Sequence, residues 1–185
     1  MSWDEAKFAR FVDTTLRMVR GELPGYGYPH VVLPYAPEDE MTCISAMRSI
    51  PARLSQAGFS HMLISVAQMV ARAVARYARR ELPEVDDYRR LQSDLADPRG
   101  GVVAKTAELC AAEVRVHGST DTVVLLCRLG ALYPFGHVSA LLDALYRTEI
   151  HNTIAVAYPG TADGTQLRFL GLLDPTGGYR GHVVT

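Results

Sequence analysis

The chain has 185 residues, 48% of them apolar and 21% charged, and its formal net charge is -1. That length suits one domain around one hydrophobic core. The balanced charge excludes an overall basic field for nucleic acid or an anionic membrane, and no run approaches the ~18 uncharged apolar residues of a membrane span.

In chain order, residues 2 to 22 read as an amphipathic helix. Ser2 stands as its cap with Glu5 completing a capping box, and Phe8, Phe11, Val12, Leu16 and Val19 share one face. Gly21, Pro24, Gly25, Gly27 and Pro29 stop it. His30 to Tyr35 is the first strand, with Pro34 placed at its end because proline cannot donate to a ladder. A helix is expected from Pro37, with Glu38, Asp39 and Glu40 in the first turn, where the helix dipole favours anions. Met41, Ile44, Met47 and Leu54 continue its apolar stripe, kinked or restarted at Pro51. Ser60 to Val66 is the second strand, after the Gly58 break.

Residues 67 to 82, 86 to 96 and 103 to 116 have helical composition and form a helical excursion over about 67–118. Its arginines (Arg72, Arg76, Arg79, Arg80, Arg89, Arg90) make one basic region, read as a solvated helix face. Direct DNA contact through it would fall steeply with salt; the expectation is that any DNA contact is weak or indirect. Asp121 to Arg128 is the strongest strand, a continuous apolar run suited to burial on both sheet faces. The loop Leu129 to Gly136 leads to a helix from about His137 to Tyr146. Thr153 to Tyr158 is a further strand, ending at Pro159-Gly160. Gln166 to Leu170 and Tyr179 to Val184 are expected to close the chain as a hairpin across the Asp174 to Gly178 turn.

Strands alternating with helices predict an α/β fold: a mostly parallel sheet covered by helices on both faces, Rossmann-like or P-loop-like but without a Walker A motif. Ligands and partners of such sheets meet the loops beyond the strands' carboxyl ends, here the loops after Tyr35, Cys127 and Tyr158.

Neither G-x-x-x-x-G-K-[ST] nor G-x-G-x-x-G is present, so no glycine-rich turn offers its backbone N–H groups to a phosphate. Cys127 ends a strand beside Arg128, but the following loop supplies no further cation to hold a thiolate, and a buried strand cysteine is the better reading. The six histidines are scattered, without H-x-x-x-H, and the three cysteines lack C-x-x-C, so no metal is expected. Glu38, Asp39 and Glu40 are explained by the helix start, and no G-x-S-x-G elbow occurs. His137 stands at a helix start, available as a base or to bind a carboxylate, with a locally satisfied polar residue the plainer reading. An enzyme is not expected, nor a cofactor. The odd, widely spaced cysteines and an N-terminus without an apolar signal segment predict a cytoplasmic protein.

Four short elements carry a family likeness. Tyr35-Ala-Pro37-Glu-Asp39-Glu40 resembles the Tyr-x-Pro-x-Asp-Glu element of the BrxB-domain family, and Gly130-Ala-Leu-Tyr133-Pro134-Phe135 its Gly-x-x-Tyr-Pro-Phe element. Tyr158-Pro159-Gly160 is similar to its Tyr-Pro-Gly turn, and Tyr179-Arg180 to its closing pair. The order agrees from about residue 28 onward. Two positions depart: Gly136 stands where members often carry Arg, and Ala157 where an aromatic is common. The resemblance implies a small non-catalytic component of a bacteriophage-exclusion (BREX) defence system, binding a PglZ-like protein. It marks Tyr35, Asp39, Glu40, Tyr133, Phe135, His137, Tyr158, Tyr179 and Arg180 as partner-binding candidates. Pro stiffens a strand exit and Tyr offers an apolar body with a polar tip, so these turns suit either a recognition surface or a seal over the sheet's end. The alternative is an unorthodox nucleotide-binding or hydrolytic enzyme using Asp39, Glu40 and His137.

Overall fold

In a computed structural model, the described residues are 3–24, 29–80, 88–164, 166–172 and 181–185. The first helix, α1 (Glu5–Val19), starts later than the sequence predicts. Asp4, not Ser2, caps it, its carboxylate accepting from the Lys7 N–H at 2.8 Å. Ser2 lies outside the described residues. Gly21, at φ 72, ends the helix as the left-handed residue past its last turn.

The first strand, β1 (His30–Tyr35), falls where the sequence places it and is buried along its whole length. After a 3-10 turn at Pro37–Asp39 come α2 (Glu40–Met47) and α3 (Ile50–Gln56), the restart having Pro51 in its first turn. The α2 stripe is Cys43, Ile44 and Met47; Met41, expected to belong to it, is exposed, because at 3.6 residues per turn it falls roughly 110° around the helix from the centre of that face. Then follow β2 (His61–Ser65), the helices α4 (Val66–Arg80), α5 (Tyr88–Ala96) and α6 (Val102–His117), and β3 (Val123–Cys127). The excursion expected at 67–118 is therefore three helices between two parallel strands. After β3 come α7 (Val138–Arg147), β4 (Ile154–Asp163), β5 (Gln166–Phe169) and β6 (His182–Val183).

The sheet order is β2-β3-β4-β1-β6, parallel throughout, with β5 antiparallel to β4. Side-chain alternation sends Val32, Ile64, Val124, Leu126 and Val156 to one face, under α4, α6 and α7. Val31, Leu33, Val123, Leu125 and Ala155 go to the other, under α1, α2 and α3. Two covered faces explain why these strands read as unbroken apolar runs rather than alternating ones. Pro34 is tolerated because Val184 donates to the Val32 carbonyl, so Val32 and Pro34 both turn toward β6, which ends before reaching Pro34.

Two expectations at the C-terminal end are corrected. The strand predicted to stop at Pro159-Gly160 continues through it to Asp163. The hairpin there is formed by β4 and β5 across Asp163-Gly164, whereas β6 joins β1 in parallel instead of returning along β5. Gly160 permits this: at φ 152, a Cβ there would sit 2.1 Å from the Arg168 carbonyl oxygen, so only glycine allows the strands to approach. At the opposite end of the sheet, buried Asn152 donates to the Ser119 and Thr122 carbonyls at 2.8 Å each, holding the turn that enters β3.

Candidate functional site

The loops named by the sequence gather at the carboxyl edge of the parallel strands. At the exit of β1, Tyr35 is buried and its hydroxyl donates to the Glu40 carboxylate at the start of α2. Burial, reinforced by that hydrogen bond and by the Glu40 charge, pushes the Tyr35 phenol well above its usual value. Cys43 and Cys127 belong to the same cluster. Burial, and secondly Glu40, pushes both thiols up; Arg128 and Arg48 only partly counter this at Cys127. The Cys127 thiol is directed at the Ile64 carbonyl, 3.7 Å away. These thiols are protonated and enclosed, the opposite of what an attacking thiolate requires. Asp39 occupies the cap position of α2 without a side-chain capping bond, and Glu38 is exposed.

The exit of β3 is built differently. Arg128 takes a left-handed backbone, φ 60, which turns the chain out of the strand into the 3-10 segment Leu129–Leu132. Leu129 and Leu132 are fully buried, and Tyr133, immediately after them, is 48% exposed. The Tyr133–Pro134 peptide is cis. Phe135 packs back against the core, and a Cβ at Gly136 would meet the Val103 Cγ2 at 2.8 Å. That close approach to α6 favours glycine at this position. His137 stands at the cap of α7 and makes no side-chain capping bond; its carbonyl accepts from Leu141.

The β4–β5 hairpin forms the third wall. The Thr153 carbonyl accepts from the Val124 N–H of β3, so the odd residues of β4 face that flank, and Pro159 accepts from Leu170 of the returning chain there. β5 thus occupies the flank of β4 beyond the last residue of β3. Leu170 comes within 3.7 Å of where a Gly130 Cβ would lie, closing the hairpin onto the β3 exit loop. Tyr158 is inside this wall, 3% exposed, with its ring 5.8 Å from that of Phe169.

Of the candidates, Tyr35 and Tyr158 seal the interior, Phe135 is half-buried, and Tyr133 faces outward. Asp39, Glu40 and His137 lie at helix starts on the same edge. Tyr179 and Arg180 lie outside the described residues. Sequence reasoning missed two exposed apolar side chains at this edge, Met41 at 69% and Leu172 at 68%. An isolated apolar residue among polar neighbours (Glu40 and Thr42 around Met41) was the available signal. Among the described residues no group of three or more His, Cys, Asp or Glu side chains is placed to hold a metal ion. Among them also, no helix is long and apolar enough to cross a membrane.

No curated protein and no solved structure matches the chain. The model of one family, described as BREX protein BrxB, matches residues 62–184, from β2 to the last strand. The Tyr133, Tyr158 and Tyr179 elements lie within that stretch, while Tyr35 to Glu40 precedes it. The match spans about two thirds of the 185 residues and places the protein in BREX phage-defence systems: the chain belongs to the BrxB family.

Proposed function

We propose that the chain is an accessory docking component of its BREX system, without catalysis of its own, and that it binds a PglZ-like partner through the carboxyl edge of its sheet. The observation that carries this reading is the outward exposure of Met41 at the start of α2, Tyr133 in the β3 exit loop and Leu172 after β5, three separate segments of that one edge. Exposed aromatic and Met side chains around a rigid strand-end scaffold are what recognition surfaces use. Four of the chemically capable groups beside them are engaged internally: Tyr35 with Glu40, and Cys43 and Cys127 within the core. The basic face of α4 favours DNA less, since Arg72 is paired with Glu113 at 2.6 Å; the side chains of Arg79, Arg80, Arg89 and Arg90 lie outside the described residues.

The test is copurification of the tagged chain with each protein encoded by its BREX system. Retention of the PglZ-like protein, lost on Tyr133→Ala with Leu172→Ala, is the expected result. No retained partner, together with intact phage protection after deletion, would overturn it. Thermal shifts with nucleotides, with and without Mg²⁺, are expected to be flat; ligand at about 100 times its Kd would add roughly 2.7 kcal/mol, and such a shift would favour the enzyme reading.

A further inference from the structure

Arg128, the residue that follows β3, holds φ 60 and ψ 41, the left-handed region that glycine occupies without penalty. Two other side-chain-bearing residues among those described share that region, and the fold accounts for each. Glu149, at φ 62, is the residue past the end of α7, where a left-handed conformation commonly closes a helix. Leu170, at φ 54, packs its side chain against the core. Arg128 does neither. It leaves a strand, its side chain is exposed, and among the described residues its guanidinium makes no hydrogen bond or ion pair. Glycine would serve this backbone at least as well, so what an arginine adds is directed outward.

The surroundings leave that cation unneutralised. Arg128 and the exposed Arg48, at the end of α2, both act on the Cys127 thiol, and one carboxylate, Glu40, acts on it in the opposite sense. Glu40 already accepts from the Tyr35 hydroxyl and pairs with neither arginine. Arg128 and Tyr133 flank the 3-10 segment Leu129–Leu132, whose two buried leucines anchor the loop, so guanidinium and phenol are presented side by side from one support. Arginine and tyrosine are among the residues that most often carry interface energy. A guanidinium beside an aromatic ring suits a carboxylate on a segment that also offers an apolar side chain. A nucleic-acid strand fits less well, because Glu38 and Asp39 stand at the neighbouring β1 exit and would repel successive phosphates.

We propose that Arg128 is a partner-binding residue: it receives a carboxylate from an acidic segment of the protein that docks on the carboxyl edge, while Tyr133 takes the apolar group beside that acid. This rests on the docking reading above and names the chemistry of the partner's segment.

The test compares Arg128 variants of the full chain in melting and in binding to the PglZ-like protein. Arg128→Gly should leave the melting midpoint unchanged or raise it by about 2–4 °C, and should weaken binding at least about tenfold. Arg128→Lys keeps the charge but loses the two-pronged donor geometry, and should fall between. Arg128→Glu should abolish binding, and reversing one Asp or Glu of the partner to Lys should restore it. Added salt should weaken binding of the unaltered chain more than that of Arg128→Gly. The failures read separately. Binding lost on Tyr133→Ala but unchanged on Arg128→Gly overturns this inference and leaves the docking edge in place, whereas no retained partner overturns both. A lower melting midpoint for Arg128→Gly would mean that the side chain serves the fold, and overturns it as well. Duplex DNA bound by the unaltered chain and released by Arg128→Gly would assign the cation to phosphate and overturn it too.

Discussion

The Tyr35 hydroxyl donates to the Glu40 carboxylate, tying the last residue of β1 to the first residue of α2 across the Pro37–Asp39 turn. Tyr35→Phe keeps the buried ring and removes the donor, while the partly exposed Glu40 regains water. The expected loss is about 1 kcal/mol, whereas Tyr35→Ala should cost about 3–5 kcal/mol through the vacated core space. Urea denaturation measures both. Adding Glu40→Gln to Tyr35→Phe should cost less than the sum of the single changes.

Stability should decline at both pH extremes through buried groups. Burial pushes the His30 imidazole down from 6.5 to about 4. The unfolded chain therefore binds this proton first, and stability present above pH 6.5 is lost as pH falls toward 4. Burial, with the Glu113 charge second, pushes the Cys110 thiol from 9.0 up to about 12. The folded state then holds the proton longer, so stability intact below pH 9 is lost as pH rises toward 12. Denaturation midpoints across pH should show a shallower acid slope for His30→Gln and a shallower alkaline slope for Cys110→Ala.

Tyr133 and Tyr158 should behave as opposites. Tyr133→Ala is expected to leave stability within about 0.5 kcal/mol, as for other exposed positions, and to weaken partner binding by at least about thirtyfold if it is an anchor. Tyr158→Ala should cost about 3–5 kcal/mol of stability, with binding lost only as the protein unfolds. Paired melting and partner titration separate them; equal binding loss in two equally stable variants would contradict the assigned roles.

Gly160→Ala places a Cβ against the Arg168 carbonyl oxygen. The two strands must separate, at a cost on the order of 3 kcal/mol, and the loosening should be local to the hairpin. Hydrogen exchange should show the Leu170 amide, which donates to Pro159, losing protection before the amides of β1 and β3 do. Gly164→Ala, with open space around it but φ 58, should be the milder change.

Most elements were legible because their causes are local. The bounds of β1 follow from a β-branched and apolar run between a glycine-rich stop and Pro37. The excursion between β2 and β3 follows from helical stripes and their breakers. The fold class follows from the alternation of the two. The helix cap shifted by two residues because Ser2 and Asp4 both qualify chemically, and the sequence alone does not decide which turn begins first.

What the sequence by itself determined about this protein is therefore an α/β chain with unbroken apolar strands, and the family its ordered Tyr-Pro elements indicate. What only the tertiary structure decided is which of those elements faces outward. Tyr133-Pro134 and Tyr158-Pro159 are the same dipeptide, yet one tyrosine is 48% exposed and the other 3%. The difference comes from β5: residues distant along the chain fold back beside β4 and enclose Tyr158 against Phe169, while nothing described covers Tyr133 to the same degree. Burial depends on such non-local neighbours, and strand continuation through Gly160 does as well, so neither is written in the residues that display it.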